Sequence, residues 1–307
     1  MAWKRLIRFV DDNGVEQFGD PCIDSAEELY EQLEAGTLHA VAYSGSTSPT
    51  SSALVAGERT HVKALSDLLR PTDVPIIRCI GLNYMKHIKE GGRTPPPYPS
   101  VFIKPSTTVA GHDEDVPIPK VAQDGTIDYE GELAVVIGDR PVKNLGDDVS
   151  DEEVLSYIAG YMAANDVSAR AWQRDPKKAG GVPQWCFSKG FDKYAPLGPM
   201  LVSGAALKPV DGVSATAVAA ASQLTLQTFV NGEERQNTST SDLLFGVIPI
   251  LRFCSHGTTL LPGTVILTGT PSGVAMGMNP PKYLDNGDVV EVRISELGRV
   301  RNKMVFE

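Results

Sequence analysis

The sequence predicts a strand-rich α+β fold. Three observations carry that prediction: from Ile76 onward short apolar runs are separated by Gly and Pro, no regular strand–helix alternation runs through them, and no repeat period is present. A doubly wound parallel sheet needs that alternation, so it is not expected here. The 307 residues suffice for one large domain, or for a large domain preceded by a small one. With 42% hydrophobic and 21% charged residues the chain reads as soluble and globular rather than disordered.

Residues 1–70 read as a small N-terminal domain. Residues 3–10 alternate like a first strand, and 11–14 (Asp-Asp-Asn-Gly) have turn composition. Residues 25–33 read as a short helix, with Ser25 as its cap and Glu28 three residues on. The small, polar stretch 44–52 is a loop, and 62–69 supply another short element. Pro71 and Pro75 mark the boundary to a larger domain, 71–307. Its strands are predicted at 76–80, 101–103, 133–137, 224–230, 265–267 and 289–294, with Asn231-Gly232 as a hairpin turn. Its helices are predicted at 150–161 and 241–253, the first with Ser150 as cap and Glu153 three residues on.

The formal net charge of −10 argues against nucleic acid as a partner, since phosphate binding wants clustered Lys and Arg. An anionic small molecule stays open, because a cation and a few basic residues reverse the field locally. Cys22, Cys79, Cys186 and Cys254 are widely and irregularly spaced, so reduced thiols are expected rather than a disulfide framework or a zinc cluster. Residues 1–9 lack the apolar run and small-residue cleavage site of a secretory signal. No stretch approaches the roughly 18 apolar residues of a membrane span. A cytoplasmic enzyme is expected, with a mitochondrial address left open.

Chemistry concentrates in four places. Glu130 and Glu132 are two apart at the entrance to an apolar strand, which puts both carboxylates on one face; Asp166 follows 34 residues after Glu132. Converging, the three make an all-oxygen site for Mg2+ or Mn2+; apart, Glu130 and Glu132 are a solvated surface pair. If the segment after Asp166 is helical, Asp166, Arg170 and Gln173 share a face. His87 and Glu90 are three apart, so one helical turn lets the carboxylate orient the imidazole; a polar surface turn has the same spacing. The Gly91-Gly92 pair and the Pro95-Pro96-Pro97 run that follow compose a mobile lid or a long surface loop. Lys189 sits among aromatics beside Gly190, placed either to hold a carboxylate or enolate or to snorkel, and Lys104 invites the same two readings. Residues 262–273 run from a strand into a Gly/Thr/Ser turn whose hydroxyls and N–H groups suit a carboxylate, without the ending of a phosphate loop.

Taken in order, His87-x-x-Glu90, Phe102-Ile103-Lys104-Pro105, the run from Asp128 to Gly138, Asn165-Asp166-Val167-Ser168-Ala169-Arg170, Lys189-Gly190-Phe191-Asp192 and Thr268-Gly269-Thr270-Pro271-Ser272-Gly273 strongly resemble the fumarylacetoacetate hydrolase superfamily. Pro183-Gln184-Trp185 and Ala195-Pro196-Leu197-Gly198-Pro199 look most like its domain-containing protein 2 branch. The resemblance covers about 76–307 with specific motifs and the first 70 residues only loosely.

That resemblance implies a strand-rich roll of mixed, barrel-like sheets with short helices, usually in a homodimer, binding Mg2+ or Mn2+ at the mouth of a pocket. It implies Glu130, Glu132 and Asp166 as metal ligands, Lys189 with the His87–Glu90 lid dyad as catalytic residues, and Arg170, Gln173 and Thr270 as substrate contacts. The implied substrates are small 2-oxo acids. The expected activity is hydrolysis of a C–C bond in a 2,4-diketo acid, with His87 activating water. Oxaloacetate decarboxylation and tautomerisation or isomerisation of an unsaturated 2-oxo acid use the same electron sink and are the alternatives. A non-catalytic dimeric binding protein is the alternative of a different kind.

Overall fold

A seven-residue run, six apolar or small residues and one Glu, Gly131–Ile137, is buried at every position, as a strand covered on both faces must be. The computed structural model describes residues 3–90, 92 and 94–307, and the side chains of His87 and Glu90 lie outside the described residues. Within Gly131–Ile137, Leu133, Val135 and Ile137 enter one core, while Ala134 and Val136 enter another. That is the two-residue period of a strand used on both sides.

The strand pairs antiparallel with Ile158–Asn165 and with Val265–Leu267. Val265–Leu267 runs parallel to Ile77–Gly81, so the sheet is mixed. The full path runs Val55–His61, His39–Ser44, Glu16–Pro21, Arg5–Val10, Met200–Val202, Ile158–Asn165, Gly131–Ile137, Val265–Leu267, Ile77–Gly81, Ser100–Lys104. Ala64–Ser66 pairs off this path with Arg5–Val10. Thus the strands of residues 1–70 continue the large sheet through the Arg5–Val10 pairing with Met200–Val202. A second sheet, in the order Glu233–Ser239, Thr225–Val230, Val289–Ile294, Gly298–Phe306, Val116–Ile118, packs over the strands Gly131–Ile137 and Ile158–Asn165.

The α+β, strand-rich architecture agrees with the sequence reading, but the barrel-like expectation does not hold. Among the described residues each sheet is an open path whose end strands do not pair with each other. The core forms by layering one sheet on the other, Leu133 and Val135 meeting Leu226, Val292 and Val300, rather than by closure.

The predicted strands form close to their expected limits. The Asn231-Gly232 turn has φ of 49° and 83°, positive at both positions as a type I′ hairpin requires. The helices are shorter than predicted. The first spans Glu28–Glu34, where the Ser25 hydroxyl accepts from the Glu28 N–H at 3.4 Å. The capping at Ser150 is present, its hydroxyl accepting from the Glu153 N–H, but that helix covers only Asp151–Leu155. Strand pairing with Gly131–Ile137 then claims Ile158–Asn165. Within 241–253, a 3-10 turn at Thr240–Asp242 comes first and α-helix forms only from Val247, in Val247–Ser255. Leu243 is held in a bridge to Tyr84, and Phe245 is gripped on both backbone groups by the Asn83 amide. No helix of the described residues is long and apolar enough to cross a membrane.

Gly160 shows how tightly the sheet is built. A Cβ there would lie 2.6 Å from the Val202 carbonyl oxygen, backbone that cannot swing aside. Gly160→Ala is expected to cost roughly 1–3 kcal/mol of stability. Urea unfolding of the variant beside wild type measures it; an unchanged midpoint would mean that the strands part without cost.

Candidate metal centre and its pocket

Glu130 and Glu132 flank Gly131, where the buried strand begins. Gly131 lies opposite Asn165 in the neighbouring strand, and Glu132 opposite Ala164. The Asp166 N–H donates to the Glu130 carbonyl at 2.8 Å, and the Glu130 N–H donates to the Asn165 side-chain oxygen at 3.0 Å. This local pairing turns the Asp166 carboxylate toward the two glutamates. One oxygen of each lies within 4.8 Å of the others. Their exposures are 9%, 1% and 0%, which rules out the solvated surface pair.

Buried carboxylates demand partners. Lys189 Nζ donates to Glu130 Oε2 at 2.7 Å and Asp166 Oδ2 at 2.6 Å. Lys104 Nζ donates to Asp166 Oδ1 and to the Tyr194 carbonyl, both at 2.5 Å. Arg170 pairs with Glu130 Oε1 at 2.6 Å and with Asp128 Oδ2 at 2.8 Å. Asp128 also accepts from the Ala275 and Met276 N–H groups. Four buried carboxylates, Asp128, Glu130, Glu132 and Asp166, therefore share three buried cations, Lys104, Lys189 and Arg170.

The unmatched charge falls on Glu132. No cation of the described residues pairs with its carboxylate, which accepts from the Gly269 N–H at 2.6 Å. Burial, with Asp166 and Glu130 close by, pushes its pKa well above the ordinary carboxylate range. Burial pushes Glu130 the same way, but Lys189 and Arg170 outweigh it and hold that carboxyl below its usual value. Burial alone would lower Lys189, yet Asp166 and Glu130 raise it above the ordinary lysine range, so it stands as an ammonium. Three converging carboxylates short of positive charge are the donor set of a hard divalent cation, and the residues fit Mg2+ or Mn2+.

A cavity of about 470 Å³ opens beside this cluster. Of the sequence-predicted residues, Glu130, Lys189, Arg170, Gln173 and Thr270 line it. A larger groove, of about 780 Å³, lies by Lys4 and Arg5, away from the carboxylates. Arg170 and Gln173 share a face of the Arg170–Arg174 helix, with Arg170 Nη1 donating to Gln173 Oε1 at 3.0 Å. Asp166 is not on that helix: Ser168–Ala169 intervenes as a short strand paired with Ile127–Asp128, and that pairing overrides a longer helix. His87 and Glu90 fall on the helix Met85–Glu90, as their spacing requires, but their side chains lie outside the described residues. So do Gly91 and Arg93 of the expected lid.

The turn in 262–273 does bind a carboxylate through a free N–H, and the carboxylate is the protein's own Glu132. Gly269 adopts φ of 99°, and a Cβ there would meet Asn83 Cβ and the Ile80 carbonyl at 2.9 Å. Asn83 pins this turn, its amide donating to the carbonyls of Thr268 and Phe245. Three supports escaped the sequence reading. Asn83 and Asp128 stand inside motifs noticed for other residues, while Gln236 lies in a polar hairpin strand with no signal of its own. Gln236 Oε1 accepts from the Gly131 N–H, and its Nε2 donates to Thr270 Oγ1 and the Pro271 carbonyl. Thr270 Oγ1 donates in turn to the Gly131 carbonyl, closing a ring between the two glutamates and the pocket wall.

Residues 76–305 match the family model described as fumarylacetoacetate (FAA) hydrolase, C-terminal. The chain is 36% identical to a caffeoylpyruvate hydrolase of Neonothopanus nambi, over 100% of this chain and 94% of that one. It is 36% identical to the mitochondrial oxaloacetate tautomerase fahd2 of Xenopus laevis, over 80% of this chain and 70% of that protein. The crystal structure of a 2-hydroxyhepta-2,4-diene-1,7-dioate isomerase from Mycobacterium marinum superposes with a TM-score of 0.73 at 29% identity, covering 99% of both chains.

The Gln236 ring makes a sharp expectation. Gln236→Leu strands the Gly131 N–H and the Pro271 carbonyl in the interior, which costs about 1–3 kcal/mol. Chemical denaturation should show that loss; stability equal to wild type would mean the ring carries no weight.

Proposed function

The chain belongs to the fumarylacetoacetate hydrolase family, and we propose on that premise that it is a divalent-metal-dependent tautomerase or isomerase of a 2-oxo acid, nearest in kind to the domain-containing protein 2 branch. One observation carries the reading: the buried Glu130–Glu132–Asp166 cluster, short of one cation, with the Lys189 ammonium bound into it and a cavity in front. Family membership and this cluster support a metal-associated enzyme acting on a 2-oxo or 2,4-diketo acid. Relatives named for oxaloacetate tautomerisation, and a superposing structure named for isomerisation of a diene dioate, favour proton transfer over the C–C cleavage expected first.

A divalent cation held by Glu130, Glu132 and Asp166 supplies Lewis acidity toward the 2-oxo acid. Tautomerisation breaks one C–H bond and forms one O–H bond, or the reverse, and needs no co-reactant. Lys189, fixed by two carboxylates and unable to give up its proton cheaply, stabilises negative charge as it develops on the substrate. Arg170 and Gln173, locked to each other, orient the acid, and Thr270 fixes the opposite wall. His87 is assigned the travelling proton, with Glu90 setting its tautomer. Hydrolysis is the second reading, because the caffeoylpyruvate hydrolase matches over the whole of this chain. There His87 would deprotonate water instead.

Every residue of the proposed site falls in 71–307, so the division at 70/71 is kept as a functional one. A homodimer is part of the proposal and is checked by light scattering of the purified protein. So is a mitochondrial address as an alternative to the cytoplasm, since several relatives are named mitochondrial.

Calorimetric titration with Mn2+ should give a clear isotherm for wild type and none for Glu130→Ala or Glu132→Gln. An unchanged affinity in either variant would remove that residue from the ligand set. Ultraviolet traces of enol–keto exchange in oxaloacetate should show acceleration by the Mg2+-loaded protein, lost on chelation. His87→Ala should slow it by about a hundredfold or more. Pyruvate release from an acylpyruvate at a higher rate than tautomer exchange would reverse the order of the two readings.

A further inference from the structure

Among the described residues three cationic side chains line the cavity: Arg170, Lys189 and Arg174. The first two are committed to protein carboxylates. Arg174 is not. No carboxylate of the described residues lies within ion-pair distance of its guanidinium, whose one polar contact is Met276 Sδ, 3.2 Å from Nη1. Arg174 is exposed, and because a thioether is a weak acceptor its donor fork is turned to solvent at the cavity mouth rather than to a protein partner. The position is as telling as the chemistry. Arg174 is the last residue of the helix Arg170–Arg174, so its backbone stands about 6 Å along the axis from that of Arg170. It therefore marks the outer part of the cavity, beyond the carboxylate cluster. Met276, which it touches, lies in the short Ala275–Gly277 turn on the facing wall and also lines the cavity.

We infer that Arg174 is a specificity-determining residue that receives a second carboxylate at the far end of the substrate, so that the preferred substrates are 2-oxo diacids rather than 2-oxo acids with an apolar tail. The inference rests on the 2-oxo acid reading above and adds the chemistry of the other end. An incoming carboxylate accepts two parallel N–H bonds from the guanidinium. It replaces a contact to sulfur and meets a charge that no carboxylate of the described residues neutralises. A tail ending in a methyl group gains nothing there and leaves the guanidinium as it was.

The test uses two saturated 2-oxo acids of equal length, 2-oxoadipate and 2-oxohexanoate, which differ in one terminal carboxylate. Their affinities for the Mg2+-loaded full chain are measured by calorimetry at fixed salt, for wild type, Arg174→Gln and Arg174→Lys. Wild type should bind the diacid about tenfold more tightly. Arg174→Gln should erase that preference and leave the affinity for 2-oxohexanoate as it was. Arg174→Lys, which keeps the charge without the planar fork, should retain part of it. Equal binding of the two acids by wild type, or a full preference surviving in Arg174→Gln, overturns the inference and spares the reading of the site. Binding of neither acid fails the 2-oxo acid reading and the inference with it.

Discussion

Everything at the centre of this molecule answers to one electrostatic constraint: four buried carboxylates, Asp128, Glu130, Glu132 and Asp166, are gathered at one place in its interior. Charges buried this deeply are tolerated only when opposed and hydrogen-bonded. Lys104 reaches Asp166 from the edge strand, Lys189 reaches it from a short helix, and Arg170 ties Asp128 to Glu130. Each cation thus fastens a different element to the same point. Glu132, which among the described residues has only a backbone N–H as partner, is where the arrangement stays electrically incomplete.

The sheet supplies the precision. Two residues apart across the start of one strand, with a third just past the end of its neighbour, is an arrangement that strand register holds. Behind it, the Gln236 ring and the Asn83 clamp tie the second sheet and the Thr268–Gly269 turn to that register. The ligating and pocket residues come from many segments of the chain, and two of the supports behind them, Asn83 and Gln236, are amides rather than charges. An amide offers a donor and an acceptor at once and adds no further charge to an interior already crowded with it.

How much of this could be read beforehand follows from what each feature depends on. The Gly131–Ile137 strand and the hairpin at Asn231-Gly232 are local facts, an apolar run and a two-residue turn, and both were legible. So was the Glu130–Glu132 spacing, because a period of two speaks for itself at a strand entrance. Ile158–Asn165 was not: Gly160, Ala163 and Ala164 carry no strand preference, and they are small because backbone and core press against them. The sound capping signal at Ser150 therefore extended the helix too far in prediction. Gln236 was invisible for another reason. Its partners lie more than thirty residues away on either side, at Gly131 and Thr270, and no local pattern announces such a bridge.

The continuity of the large sheet has a practical side. The family model begins at residue 76, which invites removal of everything before it. Yet Met200–Val202 meets Arg5–Val10 along one side. Cutting there would bare a row of unpaired amides and carbonyls on a buried, apolar strand, the kind of edge that recruits a second molecule. Leu6 and Ile7, now enclosed, would leave with the fragment, and the Met200–Val202 face would be open to self-association. The leading residues thus act as a stopper on the sheet, and the shortest soluble form of this protein is set by strand pairing rather than by the limits of the family match.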